Sequence, residues 1–220
     1  MGARAGHAVG RDRDRVQVIG TVVVSYKRPE LLRQTLVSYL ETVTYPYRLV
    51  VVDNGGCEEA LEVADDLNVA VAAMDSNLYP GCATNVGWDA LVAHAPVYLH
   101  RSDNDVEYLP GWCNEVCTRF EENPNLGQLG LRTLAEEGAH PNVGGNCVVR
   151  PPVFRKVRWR EDSWAPGQAT EDYYYTKDVV AAGYEWGRVK APCIVHHGNG
   201  DPQTDSYYAE TWTAKGFGGY

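Results

Sequence analysis

The sequence predicts an α/β fold with a mostly parallel central sheet, helices on both of its faces, and a small mixed or antiparallel extension towards the C-terminus. Two observations predict it. Strand-like apolar runs alternate with amphipathic segments from residue 16 to about residue 105, a pattern typical of parallel β-α-β units. After about residue 125 the alternation weakens and Gly, Pro and aromatic residues become frequent, which indicates a different arrangement of strands.

The alternating part divides into seven predicted elements. The predicted strands cover residues 16–26, 47–56, 69–75 and 97–105, and the first two are rich enough in β-branched residues to be buried. Apolar residues recur at helical spacing in the predicted helices, at residues 29–43, 57–67 and 85–95. Pro29 suits the first turn of the first helix. The stretch NLYPGCATNVG, before and into the third helix, is interpreted as a connection whose backbone amides can meet a ligand.

Size and composition indicate one domain. The chain has 220 residues, and its first 15 combine Gly, Arg and Asp without an apolar period. We therefore expect a flexible tail at 1–15 and a single domain at 16–220. The net charge of −9 makes a nucleic-acid partner less expected, because phosphate binding needs clustered Lys and Arg.

The sequence favours a cytoplasmic protein. No apolar run is long enough to span a bilayer, and the N-terminus lacks the apolar core of a signal peptide. The six cysteines form no C-x-x-C pair, so we expect reduced thiols rather than disulfides or a zinc site.

Acidic residues occur where the predicted strands end. Asp53 ends the second strand, and Asp103 and Asp105 end the fourth. The carboxyl ends of parallel strands open onto one edge of a sheet, where ligands bind. Carboxylates gathered there repel one another unless a cation joins them, and Mg²⁺ or Mn²⁺ prefers such oxygen ligands. The alternative is that the segment SDND is only a solvated turn.

Two further residues at this edge suit a nucleoside. Asp53 can accept a hydrogen bond from the imide N–H of a base, and Tyr26, at the end of the first strand, can stack on the base. Each also has an ordinary interpretation, Asp53 as a turn residue and Tyr26 as part of the core. An imide favours uracil or thymine, although guanine also offers an N–H.

Five motifs resemble one known family. In chain order they are VVVSYKRPELLRQTLVSYL, VVVDNGG, NLYPGCATNVG, RSDNDVEYLPGW and ATEDYYYTKDVVAAGYEWGRV. Together they resemble the family 2 glycosyltransferases of the GT-A fold, over residues 18–200. The resemblance implies a Rossmann-like nucleotide-binding half at 16–110 and an acceptor and catalytic half at 111–220. It also implies metal-dependent transfer of a sugar from a nucleotide diphosphate to an acceptor hydroxyl, with inversion.

The resemblance also implies roles for individual residues. Asp172 matches the catalytic base and Glu171 its usual companion. Asp105 matches the acid that reaches the metal, while Asp103 tends to contact the ribose or sugar and completes the Asp-x-Asp motif. His196 is preferred over His197 as a metal-binding histidine, because adjacent side chains on a strand point to opposite sides. Donor-binding positions are matched by Val24, Ser25, Tyr26, Asp53, Asn77, Gly81 and Asn85.

The expected cofactor is Mn²⁺ or Mg²⁺, and the preferred donor is a UDP-sugar. The acceptor is a saccharide, a lipid-linked glycan or a small molecule, with a nucleic acid less expected. A loop near 160–170 is expected to close over the donor. The three tyrosines after Asp172 replace the usual acid and apolar residue, so the acceptor side differs from the common pattern. Two alternatives remain: a sugar-1-phosphate nucleotidyltransferase, or an inactive sugar-binding domain.

Overall fold

The computed structural model describes residues 18–131, 143–161 and 170–198. The predicted tail at 1–15 and most of the predicted loop near 160–170 lie outside these residues. Within them the strands are β1 (Ile19–Ser25), β2 (Tyr47–Asn54), β3 (Ala70–Met74), β4 (Tyr98–Asp103), β5 (Val106–Tyr108), β6 (Leu126–Gly130), β7 (Cys147–Val149), β8 (Glu185–Arg188) and β9 (Ile194–His196). The helices are α1 (Pro29–Thr42), α2 (Glu58–Asp66), α3 (Tyr79–Val92), α4 (Trp112–Glu122), α5 (Pro151–Lys156) and α6 (Glu171–Ala181).

The central sheet has the strand order β3-β2-β1-β4-β7-β6-β8. Strands β3, β2, β1 and β4 are parallel, as the alternating part of the sequence predicts. Strand β7 runs antiparallel to both of its neighbours, β4 and β6, and β8 is parallel to β6. A separate antiparallel ladder joins β5 to β9. The predicted fold, with its mostly parallel sheet and mixed extension, is confirmed.

Alternation along β1 places helices on both faces of the sheet. Successive strand residues point to opposite faces. Val23 packs into a buried cluster with Leu32 and Leu36 of α1 and with α2. Its neighbour Val22 packs on the other side, in a cluster with Trp88 of α3 and residues of α5 and α6. Since β1 is buried along its whole length, an uninterrupted apolar run was the correct signal for it.

The predicted start of the third helix is wrong. Helix α3 begins at Tyr79, so much of the stretch interpreted as a connection is helical. Pro80 lies in the first turn, where its missing N–H costs nothing. Gly87 is needed in the helix interior because α3 lies close to β1: a Cβ there would be 2.9 Å from the Cβ of Val22. Gly and Pro therefore serve helix initiation and close packing here.

The register of the sheet brings the predicted strand ends together. Ser25 of β1 is paired with Asp53 of β2, and Val24 with Asp103 of β4. These strand ends form one side of the sheet, called the carboxyl edge below. None of the helices in the described part of the chain is long and apolar enough to cross a membrane.

Behind the carboxyl edge, β4 buries a histidine. His100 is fully buried, and its ring nitrogens lie 3.3 Å from Thr21 Oγ1 and 3.2 Å from the Tyr108 hydroxyl. The rings of Tyr39, Tyr108 and Trp112 surround it. Burial lowers the pKa of His100 to about 3, so the folded protein holds a neutral imidazole.

We expect His100 to make folding stability sensitive to acid. Its unfolded pKa is about 6.5, so below that pH the unfolded chain binds a proton that the folded chain refuses. Stability is therefore retained above pH 6.5 and lost as pH falls towards 3, by up to about 1.4 kcal/mol per pH unit. In His100→Gln the free energy of unfolding, measured by urea denaturation from pH 7 to 4, should depend less steeply on pH.

The control is His94→Gln, which removes an exposed histidine and should keep the wild-type slope. The titratable groups that face His100, Tyr39 and Tyr108, stay protonated throughout this range because burial raises their pKa values. Equal slopes for the wild type and His100→Gln would contradict the assignment.

Candidate active site

Acidic residues from two strands meet at the carboxyl edge. Asp53 and Asp103 flank the end of β1 on either side. Since adjacent strands are roughly 4.8 Å apart, the two backbones are separated by roughly 10 Å at this edge. That spacing allows both carboxylates to contact different parts of one small ligand.

Asp103, Asp105 and His196 form an acid–histidine cluster. One ligand atom from each lies within 4.8 Å of the others, which is close enough to share a metal ion. The turn after β4 carries Asp105, and the β5–β9 ladder brings His196 opposite Val106. The adjacent His197 points elsewhere and lies 3.1 Å from Glu107. His196 therefore lies with the two aspartates, and its role as a metal ligand remains a prediction.

The hydrogen bonding of His196 prepares it as a ligand. Its Nδ1 is hydrogen-bonded to the carbonyl oxygen of Gly198, so the neutral ring carries its proton on Nδ1 and a lone pair on Nε2. Nε2 lies 3.3 Å from Asp105 Oδ1. That oxygen is buried and has no hydrogen-bond donor in the described part of the chain. Two facing lone pairs favour a cation between them, so the residues fit a divalent metal.

Arg28 neutralises the other oxygen of Asp105. Its Nη1 donates to Asp105 Oδ2 at 2.9 Å. Arg28 and Lys27 both have left-handed backbone conformations, with φ of 59° and 55°. Asn104, the buried middle residue of the Asp-x-Asp motif, holds this turn by donating to the Lys27 carbonyl. A charged turn after β1 is thereby attached to the acids after β4.

Asp103 is held by a different set of contacts. Asn146 donates from its side chain to Asp103 Oδ2 at 3.0 Å and accepts from the Asp103 backbone N–H at 2.9 Å. Arg101 lies 3.4 Å from Asp103 Oδ1. Gly145 leaves room for the carboxylate, since a Cβ there would be 2.6 Å from Asp103 Oδ2. The orientation of Asp103 is thus set by the chain before any ligand binds.

Helix α6 begins with the two acids of the Glu-Asp motif. Glu171 is buried and accepts a hydrogen bond from Arg101 at 2.8 Å. Asp172 is half-buried and accepts hydrogen bonds from the Tyr173 backbone N–H and the Thr170 hydroxyl. The first turn of a helix favours negative charge. Asp172 is therefore accessible to a ligand, whereas Glu171 is not.

Burial and neighbouring positive charge shift the pKa values of Asp105 and Glu171 in opposite directions. Burial raises the pKa of Asp105, and the charge of Arg28 counters it. Burial likewise raises the pKa of Glu171, and the charge of Arg101 counters it. Both acids therefore depend on a neighbouring cation to be ionised.

A second group of candidate ligand-binding residues lies around Asp53. This carboxylate is fully buried, and its Oδ2 accepts the Cys57 backbone N–H at 2.9 Å. Its Oδ1 has no hydrogen-bond partner in the described residues. Burial raises the pKa of Asp53, while the backbone N–H groups lower it. The Tyr26 ring lies against the backbone of Gly55, where a Cβ would be 2.7 Å from the ring. The unsatisfied Oδ1 of Asp53 and the Tyr26 ring, which lies against Gly55 two residues further along the chain, are candidates for contact with a planar base.

The other predicted donor-binding residues contact different parts of the chain. Asn77 accepts a hydrogen bond at 3.0 Å from the side chain of Asn54, the residue after Asp53. Gly81 packs on the backbone of Arg160, and Asn85 bonds to Trp159 at 2.9 Å. Contact between the nucleotide and Gly81 or Asn85 remains a prediction.

Val24 and Ser25 are both buried at the end of β1. The Ser25 hydroxyl lies 3.3 Å from Asn104 Nδ2, and the Val24 side chain belongs to the core. Any contact that Val24 makes to a nucleoside would use its backbone.

Sequence reasoning missed four residues that shape the site: Arg28, Arg101, Asn104 and Asn146. Two of them carried a visible signal. Arg101 is a charged residue inside a predicted strand, and Arg28 lies in the turn after β1. The role of Asn146 depends on β7 lying beside β4, and nothing local to its sequence indicates that.

Comparison with known proteins decides the family. The profile described as Glycosyl transferase family 2 matches residues 21–177. This chain belongs to glycosyl transferase family 2. The match includes the strand ends and the Glu-Asp motif, so the resemblance noted in the sequence is confirmed.

Solved structures share the fold at low identity. S. aureus TarS 1–349 is 13% identical, with a TM-score of 0.66, and the match covers 89% of this chain and 65% of that chain. The mannosyltransferase PcManGT from Pyrobaculum calidifontis, in complex with GDP-Man and Mn²⁺, is 15% identical with a TM-score of 0.62, over 81% of this chain and 56% of that chain. TarS 1–349 is also known in complex with UDP and with UDP-GlcNAc.

This chain spans less than two thirds of the length of these neighbours. No curated protein matches it. Identities this low support the GT-A fold alone, so substrates have to be argued from the site.

We expect Gly145→Ala to weaken Mn²⁺ binding by about tenfold, as loss of a supporting contact does at metal sites. The added Cβ would meet Asp103 Oδ2 at 2.6 Å and would turn the carboxylate away from the acid–histidine cluster. Isothermal titration of the full chain with MnCl₂ measures the change.

Gly144→Ala is the matched control. Gly144 has a φ of 74° with open space around it, so its substitution costs stability through backbone strain but leaves Asp103 in place. Equal Mn²⁺ affinities for Gly145→Ala and wild type would contradict the proposed role of the Asp103 orientation.

Proposed function

We propose that this protein transfers a sugar from a nucleotide-diphosphate donor to an acceptor hydroxyl, using a divalent metal and inverting the anomeric carbon. The observation that carries the proposal is the acid–histidine cluster at the carboxyl edge, which β1 separates from Asp53. A diphosphate that crosses the end of β1 towards the cluster would connect a base near Asp53 to a sugar.

The residues around Asp53 support recognition of the base. Asp53 Oδ1 is a buried acceptor without a partner in the described residues, and leaving it so costs free energy. An imide N–H would satisfy it, and Tyr26 would cover the ring. Uracil fits this chemistry, and UDP is bound by TarS. We therefore propose a UDP-sugar as the donor, with guanine as the competing base because PcManGT binds GDP-Man.

The acid–histidine cluster supports a role for Mn²⁺ or Mg²⁺, which would neutralise charge that develops on the leaving diphosphate. Asp105 and His196 would hold the metal, and Asp103 would contact the metal or the sugar. Arg28 adds positive charge at the same place through its contact with Asp105. PcManGT is known with Mn²⁺.

Asp172 supports an inverting mechanism. As an accessible carboxylate at the start of α6, it would accept the proton of the acceptor hydroxyl. A base on the side opposite the leaving group produces inversion. Residues 162–169, beyond the described part of the chain, include the loop proposed to close over the donor and exclude water.

The acceptor is proposed to be a saccharide, a lipid-linked glycan or a small molecule, with action in the cytoplasm. Tyr173 and Tyr174 follow the base, and their rings form an edge-on pair 5.6 Å apart. Aromatic faces suit the apolar faces of sugars, so a saccharide is the first class to test.

Asp172→Asn is expected to lower sugar transfer by a factor of about 10²–10⁴, because amides cannot accept the proton. Transfer is measured as release of nucleoside diphosphate from UDP-GlcNAc, UDP-glucose or GDP-mannose in the presence of a saccharide panel. UDP binding should be unchanged. Asp178→Asn, on the same helix and paired with Arg160, is the control and should retain activity. Transfer by Asp172→Asn within a few-fold of wild type would show that another group is the base.

Removal of divalent metal with EDTA is expected to abolish transfer, and Mn²⁺ or Mg²⁺ should restore it. Mn²⁺ should also raise the melting temperature in the presence of UDP, since a ligand of the folded state stabilises it. Asp105→Asn should lose this shift. Glu107→Gln, which alters the acid paired with the neighbouring His197, should keep it. Full activity in EDTA would exclude the proposed metal role.

A further inference from the structure

A buried arginine lies between the donor side and the acceptor side of the candidate active site. Arg101 is the fourth residue of β4, and its side chain is only 2% exposed. Because alternate residues of a strand share a face, Arg101 lies on the same face as Leu99 and Asp103. The same face packs against the layer that contains α6.

The guanidinium is held on several sides. Nη2 donates to Glu171 Oε1 at 2.8 Å and lies 3.4 Å from Asp103 Oδ1. Its carbon lies 4.3 Å from the centre of the Trp159 ring. Trp159 is in turn stacked on Tyr175 of α6, with ring centres 4.1 Å apart and planes within 1°. The planar cation is therefore packed between both acids and an aromatic pair.

Stability does not account for this arrangement. Burying two charges carries a desolvation cost, and well-packed apolar residues of similar volume are often as stable or more so. Nε and Nη1 of Arg101 and Oε2 of Glu171 are buried without hydrogen-bond partners in the described residues, which adds to the cost. The charges of Glu171 and Asp103 nevertheless outweigh burial and raise the pKa of Arg101. The ion pair between Arg101 and Glu171 instead fixes the start of α6 relative to β4.

Arg101 joins two acids that belong to different parts of the chain. Asp103 is on the strand that contributes to the acid–histidine cluster, whereas Glu171 directly precedes Asp172 at the start of α6. Fixing Glu171 fixes the first turn of α6 and with it Asp172. We propose that Arg101 is a positioning residue. It holds the proposed base, Asp172, at a fixed distance from the acid–histidine cluster, where the donor is proposed to bind. The inference rests on the proposed function, since it assigns a supporting residue to that site.

Loss of Arg101 should disturb Glu171, at the start of α6, more than Asp103, at the end of β4. Asp103 keeps both hydrogen bonds to Asn146, so the donor side retains its orientation. For Glu171, Arg101 is the ion-pair partner within the described residues. The consequence should appear in the rate of transfer and in the order of α6, rather than in donor affinity.

The experiment compares Arg101→Met and Arg101→Lys in the full chain. Arg101→Met should lower kcat about 100-fold, as a displacement near 1 Å of a reacting group does, while the KM for the donor stays within a few-fold. Arg101→Lys keeps the charge but not the planar fork, so its kcat should lie between Arg101→Met and wild type. If Arg101→Met does not fold, Arg101→Lys alone tests the proposal. Its kcat should then be lower than that of the wild type, while its KM for the donor stays within a few-fold.

A double variant separates positioning from direct participation by Glu171. If both residues act as one pair, Arg101→Met/Glu171→Gln should lose no more kcat than Arg101→Met alone. Multiplication of the two single losses would show that Glu171 acts independently of Arg101 and would overturn the proposal.

Arg150→Met is the matched control. Arg150 donates to the Leu126 and Phe120 carbonyls, and its guanidinium lies 4.9 Å from the Phe120 ring. It is thus a half-buried arginine on an aromatic ring, away from both acids. Its substitution should lower stability while kcat per folded molecule stays unchanged.

Hydrogen–deuterium exchange supplies a readout that does not depend on activity. In Arg101→Met, amides 174–178 in α6 should exchange at least tenfold faster, while those in α4 stay protected; Arg150→Met should leave α6 unchanged. Unaltered exchange in α6, or unaltered kcat, would overturn the role of Arg101. A wild-type protein that transfers sugar from none of the donors would instead overturn the proposed function, with the exchange result still deciding whether Arg101 orders α6.

Discussion

Repulsion among carboxylates at the carboxyl edge is the constraint on which the rest of this structure depends. Asp105 comes two residues after Asp103, the last residue of β4, and it is buried, so it cannot be ionised at low cost without nearby positive charge. The chain supplies Arg28 from the turn after β1 and Arg101 from β4. His196 faces the remaining buried oxygen, where a metal fits. The turn after β1, the β5–β9 ladder and the start of α6 are each attached to the edge through one of these contacts.

Strand β4 separates the charged and neutral parts of the interior by its alternation. Arg101 and Asp103 face the layer that contains Trp159 and α6, whereas His100 faces the aromatic rings around Tyr108. The neutral imidazole and the paired guanidinium are adjacent in sequence yet lie on opposite sides of the sheet. On one face of the sheet, β4 supports the site through the hydrogen bonds of His100. On the other face, it orients Asp103 and Glu171 through their ion pairs with Arg101.

The profile match assigns the family of this chain, and the solved structures support its fold. Structures only 13–15% identical to this chain superimpose on it well, because the pattern of buried strands and helices defines the fold while most surface residues are free to differ. The acids at the carboxyl edge resemble the family pattern, whereas the three tyrosines after Asp172 depart from it. The proposed acceptor therefore rests on the site of this chain and not on the family.

Local patterns in the sequence determined the parallel half of the sheet, because buried strands and amphipathic helices have distinct periodicities, and the acids at strand ends followed from that order. The start of α3 was misjudged because Gly and Pro served close packing, which depends on a distant strand. Contacts across large sequence separations, such as those of Asn146 to Asp103 and of Arg101 to Glu171, were decided by tertiary structure alone. No local signal specifies them, since they exist only once β7 lies beside β4 and α6 packs over the sheet.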